Sequence, residues 1–212
     1  MILNDGAAQL EGRLLVPEAA QAVVVFAHGS GSSRHSPRNQ YVAGILNAAG
    51  LGTLLFDLLT VSEETDRSNV FNIGLLGGRL VAVTRWLREQ PETNRLEIGY
   101  FGASTGAAAA LWAAAELDAE VMAVVSRGGR PDLAGDRLDA VIAPTLLIVG
   151  GDDDVVLGLN HDAQAKLRCE SRLVVVPGAT HLFEEPGTLE VVAEKSRDWF
   201  VTHLRSTATF EG

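Results

Sequence analysis

The sequence predicts an α/β protein of one domain, in which a mainly parallel, doubly wound sheet is flanked by helices. Three observations predict it. Short apolar runs rich in Val, Ile and Leu alternate with longer stretches of helical period, the order that βαβ units produce. The runs are near-continuously apolar rather than alternating, which suits strands covered on both faces. With 47% hydrophobic and 21% charged residues among 212, the chain also has the material for a packed core of that kind.

Taken in order, residues 9–16 predict an antiparallel edge strand, since Leu10, Leu14 and Val16 are interrupted by Gly12 and followed by Pro17. AVVVFA at 22–27 is the first central strand, and the runs 52–56, 96–101, 121–125, 145–149 and 172–176 supply the other five. Helices are expected at 40–49, 72–89, 105–116, 155–167 and 189–204. In the second of these, Leu76, Leu80, Val83 and Leu87 recur at spacings of three and four and form one apolar stripe. About twenty residues separate the strand at 121–125 from that at 145–149, too few for a helical lid, so no cap domain is expected. The segment after Arg205 is a short polar end. No stretch has linker composition and no internal repeat occurs, so the expectation is one domain over 1–212 with its core at about 10–204.

Charge narrows the partners. Seventeen Lys and Arg against 27 Asp and Glu give a formal charge of −10, the wrong sign for nucleic acid or for an anionic membrane surface. No apolar run approaches the roughly 20 residues that cross a bilayer. Met1 to Gly6 shows neither the basic nor the apolar part of a secretory signal, which makes the cytoplasm the expected location. Cys169, the single cysteine, forms no intrachain disulfide and sits far from any motif. The expected partner is a small molecule, met by a monomer or a homodimer.

Chemistry gathers at the strand ends. Gly102-Ala103-Ser104-Thr105-Gly106 follows a strand directly and opens an alanine-rich helix, the context of a G-x-S-x-G nucleophile elbow. Such a turn holds Ser104 at a helix N-terminus, where the dipole favours developing negative charge. A serine hydroxyl needs a base, and the base an orienting acid. Of five histidines, His181 lies in the loop after the last strand and before the last helix, where the base of such a sheet belongs. Between them in sequence, Asp152-Asp153-Asp154 follows a buried strand, and only one of the three can point at the histidine. The order Ser104, Asp153, His181 agrees with the Ser, Asp, His order of this kind of site. The other readings of the three are a helix N-cap, which Asp154 would supply, or a metal loop, from which the alternating oxygen ligands of a calcium site are missing.

The loop His28-Gly29-Ser30-Gly31-Ser32-Ser33 follows the strand AVVVFA. Gly29 and Gly31 let backbone N–H groups approach a substrate closely, and Ser30 and Thr105 are the expected oxyanion donors. A dinucleotide turn is not matched, because Arg34 stands where the third glycine belongs, and no P-loop occurs. A bare phosphate-binding nest helped by Arg34 and Arg38 is the remaining alternative. In Ser126-Arg127-Gly128-Gly129-Arg130-Pro131-Asp132, either Arg127 or Arg130 is placed to clamp a substrate carboxylate, or both are solvated arginines on a Gly-Pro turn.

With these residues assembled, the chain resembles the α/β-hydrolase superfamily, and within it the small, capless, dienelactone-hydrolase-like branch. HGSGSSRHSPRN at 28–39, the Ser104 elbow, the acid loop at 150–156 and the turn Gly178-Ala179-Thr180-His181 carry the resemblance, which runs over about 10–204. It selects Asp153 as the acid, three residues after a strand-end glycine. It implies hydrolysis through an acyl-enzyme without metal or cofactor. The best-known dienelactone hydrolases carry a cysteine nucleophile and a glutamate near the oxyanion loop; here Ser104 stands instead, with no Glu between Ala27 and Asn39. The expectation is therefore hydrolysis of small or short-acyl carboxylic esters. Lactone hydrolysis or other acyl or carbon–carbon cleavage in the same site is the alternative, followed by a non-catalytic ligand-binding module.

Overall fold

A computed structural model describes residues 1–4 and 8–204. One sheet of eight strands carries the molecule, in the order β1-β2-β4-β3-β5-β6-β7-β8. β3 (Ala22–Ala27), β4 (Gly52–Phe56), β5 (Glu97–Ala103), β6 (Val121–Arg127), β7 (Thr145–Gly150) and β8 (Ser171–Val176) are mutually parallel. β2 (Gln9–Leu15) runs antiparallel to β4. It is not outermost, as the sequence led us to expect. β1 (Ile2–Asn4) pairs along its far side, a three-residue strand too short to give a periodicity.

Helices cover both faces. On β3, Val23, Val25 and Ala27 join one apolar cluster and Ala22, Val24 and Phe26 the other, so the strand's period of two feeds two cores. The first core packs α3 (Ile73–Glu89) and α4 (Thr105–Leu117) on the sheet, with α5 (Asp154–Lys166) beside them. Its α3 stripe is Leu76, Leu80, Val83 and Leu87, all buried. The second core packs α1 (Pro37–Ala48) and α6 (Thr188–His203), with Phe26 and Phe101 stacked at 4.8 Å. At roughly 1.5–3 kcal/mol for each large apolar side chain, these two layers dominate the stability. α1 begins three residues earlier than its apolar pattern indicates, because Ser36 caps the Asn39 N–H and Pro37 takes the first helical position.

After β4 the chain makes a four-residue helix, α2 (Val61–Glu64), and a 3-10 turn at Asn69–Phe71, neither of them readable from periodicity. Thr60 and Glu63 close a capping box on α2, and Glu63 reaches Arg79 of α3 at 2.6 Å. Between β6 and β7 the chain forms 3-10 turns over Pro131–Ala140, bent at Gly135, and no helical lid. Strand order reverses at β3, whose parallel neighbours are β4 on one side and β5 on the other. The crevice beyond the carboxyl ends there is where such sheets bind ligands.

Candidate functional site

Ser104 sits between β5 and α4 with φ 51° and ψ −121°, a conformation that a non-glycine residue holds only when its surroundings impose it. Here both backbone groups are held from the end of β6. The Ser104 N–H donates to the Arg127 carbonyl at 3.2 Å, and the Ser104 carbonyl accepts from the Arg130 N–H at 3.1 Å. The flanking glycines are required by space. A Cβ on Gly102 would run into the backbone of Ala107, and one on Gly106 into the Ala27 carbonyl. Gly29 lies against the serine, since a Cβ there would stand 3.0 Å from Ser104 Cβ; Gly31 turns the loop with φ +68°.

The Ser30 N–H donates to Thr105 Oγ1 at 3.0 Å. Thr105 is the first residue of α4, so its own N–H has no intrahelical acceptor and points off the helix N-terminus beside Ser104. His28, at the head of the loop, is structural. Its Nδ1–H donates to the Gly29 carbonyl at 2.9 Å and its Nε2 accepts from the Leu58 N–H at 3.0 Å, and burial holds its pKa below 6.5. Arg34 is taken up by Asp57 and Glu11, which ties the loop to the neighbouring strand ends.

On the other side, His181 Nδ1 donates to Asp153 Oδ2 at 2.7 Å. Asp153, 15% exposed, occupies the N-cap position of α5 but caps nothing; its carboxylate faces the imidazole instead. Asp154 is already inside the helix, so the N-cap expected of it belongs to Asp153. Asp152 is turned outward, exposed, with its N–H bonded to the Ala179 carbonyl at 3.0 Å. The imidazole of His181 is 38% exposed, and its Nε2 has no hydrogen-bond partner among the described residues. Its ring packs over Gly128, adjacent to the Arg127 that holds Ser104, which sets serine and imidazole on the two sides of the β6 end. No hydrogen bond joins Ser104 Oγ to His181 among the described residues. In ligand-free sites such bonds are often long and tighten when substrate arrives.

The two arginines part company. Arg130 is gripped by Asp132 through two hydrogen bonds of 2.8 Å, a pairing two residues apart that the sequence displayed. Arg127 turns inward to 7% exposure beneath Phe183. A slot of about 10 Å³ beside Ser30 and Thr105 is walled by Leu58, Leu59, Val70 and Leu76. It opens next to a cleft of about 320 Å³ bordered by Glu64, Arg67 and Phe71. Leu58, Leu59 and Val70 come from the irregular stretch between β4 and α3, which no sequence signal marked, while Leu76 belongs to the α3 stripe. Among the described residues no cluster of three or more His, Cys, Asp or Glu side chains is arranged to hold a metal, and no helix is long and apolar enough to cross a membrane.

A dienelactone hydrolase from Anabaena variabilis is 55% identical, with a TM-score of 0.95 over 97% of each chain. A Xanthomonas campestris protein described as an α/β serine hydrolase without lid shares the fold at 23% identity, with a TM-score of 0.77 over 98% of this chain and 95% of that one. A Mycobacterium tuberculosis protein named a putative phosphoribosyl transferase is 64% identical over 94% of this chain. The match spans 45% of that protein, so the chain corresponds to about half the length of this relative. The family profile named dienelactone hydrolase family covers residues 10–204, and the chain belongs to that family.

Proposed function

We propose that the protein is a serine hydrolase that cleaves small or short-acyl carboxylic esters through an acyl-enzyme at Ser104. The observation that carries the reading is the 2.7 Å bond from His181 Nδ1 to Asp153, which fixes the ring and leaves Nε2 without a partner among the described residues, on a side chain 38% exposed. Ser104 Oγ attacks the ester carbonyl carbon as its proton passes to His181 Nε2, and Asp153 stabilises the imidazolium. The N–H groups of Thr105 and Ser30 receive the oxyanion. Collapse of the tetrahedral intermediate expels the alcohol, which takes the proton from Nε2. Water, deprotonated by the same nitrogen, then cleaves the acyl-enzyme to carboxylic acid and free serine. A lactone is an internal ester and opens by the same steps.

The size of the apolar slot supports the acyl preference. The slot is small, which favours short acyl groups, while longer acyl chains must turn into the adjoining cleft. The test is intact-mass analysis after incubation with a fluorophosphonate, wild type beside Ser104→Ala, with p-nitrophenyl acetate turnover followed in parallel. A single adduct and ester turnover, both lost in the variant, are expected. A folded wild type that takes no label and turns over no ester overturns the reading.

A further inference from the structure

Asn160 of α5 is 0% exposed and takes no part in the pairing of His181 with Asp153. Its Nδ2 donates twice, to the Val156 carbonyl one turn back in its own helix at 2.8 Å and across to the Gly129 carbonyl at 3.0 Å. Its Oδ1 is buried without a hydrogen-bond partner among the described residues. A buried amide satisfied on one side only is a cost to stability, so what this residue contributes lies on its donor side.

The carbonyl that Asn160 holds belongs to one particular peptide unit. A peptide unit is planar and trans, with its carbonyl and its N–H pointing in opposite directions. The unit joining Gly129 to Arg130 accepts from Asn160 through its carbonyl and donates through its N–H to the Ser104 carbonyl at 3.1 Å. That carbonyl is in turn one end of the unit joining Ser104 to Thr105, whose other end is the Thr105 N–H. Asn160 thus heads a line of donors and acceptors that finishes, two peptide units on, at the N–H beside the nucleophile turn. Bonds in such a line polarise one another, each strengthening the next. Among the described residues nothing else donates to the Gly129 carbonyl, whereas the Ser104 carbonyl also accepts the Ala107 N–H at 3.1 Å. Nor has the turn room to move toward α4, since a Cβ on Gly129 would run into Ser126 Oγ and Ala107 Cβ.

We propose that Asn160 is a positioning residue of the oxyanion site, which acts through the Gly129–Arg130 and Ser104–Thr105 peptide units to fix the direction of the Thr105 N–H and strengthen it as a donor. Its part in turnover rests on the ester-hydrolase reading, in which that N–H receives the oxyanion; the hydrogen-bonded line does not. Acylation and deacylation both pass through an oxyanion that exists only near the transition state, so a loss at Asn160 falls on kcat and spares KM.

Two measurements test it. In the first, p-nitrophenyl acetate kinetics of the wild type are compared with those of Asn160→Leu, which keeps the bulk and removes the donor. Since direct removal of an oxyanion donor costs roughly 10²–10³, a fall in kcat of about tenfold is expected from a residue acting through it, with KM within about twofold of wild type. An unchanged kcat, or a loss carried by KM, overturns the assignment. In the second, the amide spectra of the two 15N-labelled proteins are compared. The Arg130 and Thr105 amide protons are expected to move upfield together; an Arg130 shift that leaves Thr105 in place breaks the line at Ser104 and overturns the proposal. Should Asn160→Leu fail to fold, Asn160→Asp decides. Its ionised carboxylate donates nothing, and a buried carboxyl takes up its proton readily, so its kcat relative to wild type is expected to rise from about pH 8.5 to about pH 5.5 as one donor returns. A flat ratio overturns the proposal. A wild type with neither ester turnover nor phosphonate labelling overturns the ester-hydrolase reading and, with it, the part of Asn160 in turnover; turnover in the wild type with kcat intact in the variant removes Asn160 alone.

Discussion

The Thr105 hydroxyl occupies the Ser30 N–H at 3.0 Å, so one of the two proposed oxyanion donors is already spoken for before any substrate arrives. For the Ser30 N–H to receive an oxyanion, the reaction must exchange one oxygen for the other. A neutral hydrogen bond of this kind has a net worth of about 0.5–1.5 kcal/mol, so the exchange is affordable but measurable.

Thr105→Val keeps the shape of the side chain and removes the acceptor. The expected outcome is a rise in kcat/KM for p-nitrophenyl acetate of roughly two- to tenfold, the rate equivalent of that bond. A fall instead would show that the hydroxyl holds the loop in place or donates to the oxyanion itself.

The three adjacent aspartates give a sharper contrast. Asp153→Asn removes the acceptor that orients Nδ1–H, and turnover should fall by about 10³–10⁴ with the fold intact. Asp152→Asn changes an exposed side chain, and steady-state kinetics should remain within about twofold of wild type. Equal losses in the two variants would remove Asp153 from the mechanism.

Val70→Ala enlarges the apolar slot at a wall that is not fully buried. The preference for butyrate over acetate esters should rise by roughly tenfold, about what one or two methylenes are worth in such a pocket. An unchanged chain-length profile would place the acyl group elsewhere.

His28 sets an acid limit. Burial lowers its pKa from 6.5 in the folded protein, so as pH falls the unfolded chain takes up the proton first and stability is lost. The contribution is fully present above pH 6.5 and declines below it, toward the lower folded value. In thermal melts from pH 7.5 to 5, His28→Gln should show a lower midpoint at the neutral end and a shallower decline toward acid. A slope equal to that of wild type would assign the acid loss to other groups.

Gly106→Ala brings a Cβ against backbone rather than against a movable side chain, so no rotamer change relieves it. A loss of about 3 kcal/mol or more is expected in chemical denaturation. Gly44→Ala in α1, where a Cβ meets open space, should instead be neutral or slightly stabilising.

The parallel core was legible in the sequence because buried strands announce themselves by composition. β3 and β4 begin and end where their apolar runs do, and β6 runs two residues past its run only because Ser126 and Arg127 are polar. What escaped was held together by particular contacts rather than by period. β1 has three residues, and α2 exists through Thr60, Glu63 and Arg79, which meet only in three dimensions. At the candidate site, Ser104 and His181 stand at strand ends that the sequence orders correctly. Asp153 was chosen among the three aspartates by the family resemblance and not by the residues themselves, since three like carboxylates carry no internal distinction and the orientation follows from backbone bonds such as Asp152 N–H to Ala179. The Arg130–Asp132 pair, by contrast, was within reach of a local reading. The inward turn of Arg127 beneath Phe183 was not, since 56 positions of chain separate the two.

The pairing of β3 with β5 joins Ala22 to Glu97 and carries Ser30 up to Thr105 across 75 positions. Closing so long a loop is an entropic debt that local helix formation does nothing to settle, and sheets of this connectivity assemble slowly. The loop at Ser30 and the turn at Ser104 do not exist as a unit until that seam has zipped. On the proposed function, chemical competence is therefore a late event on the way to the native state, with the helical signal expected to return before fluorophosphonate labelling of Ser104.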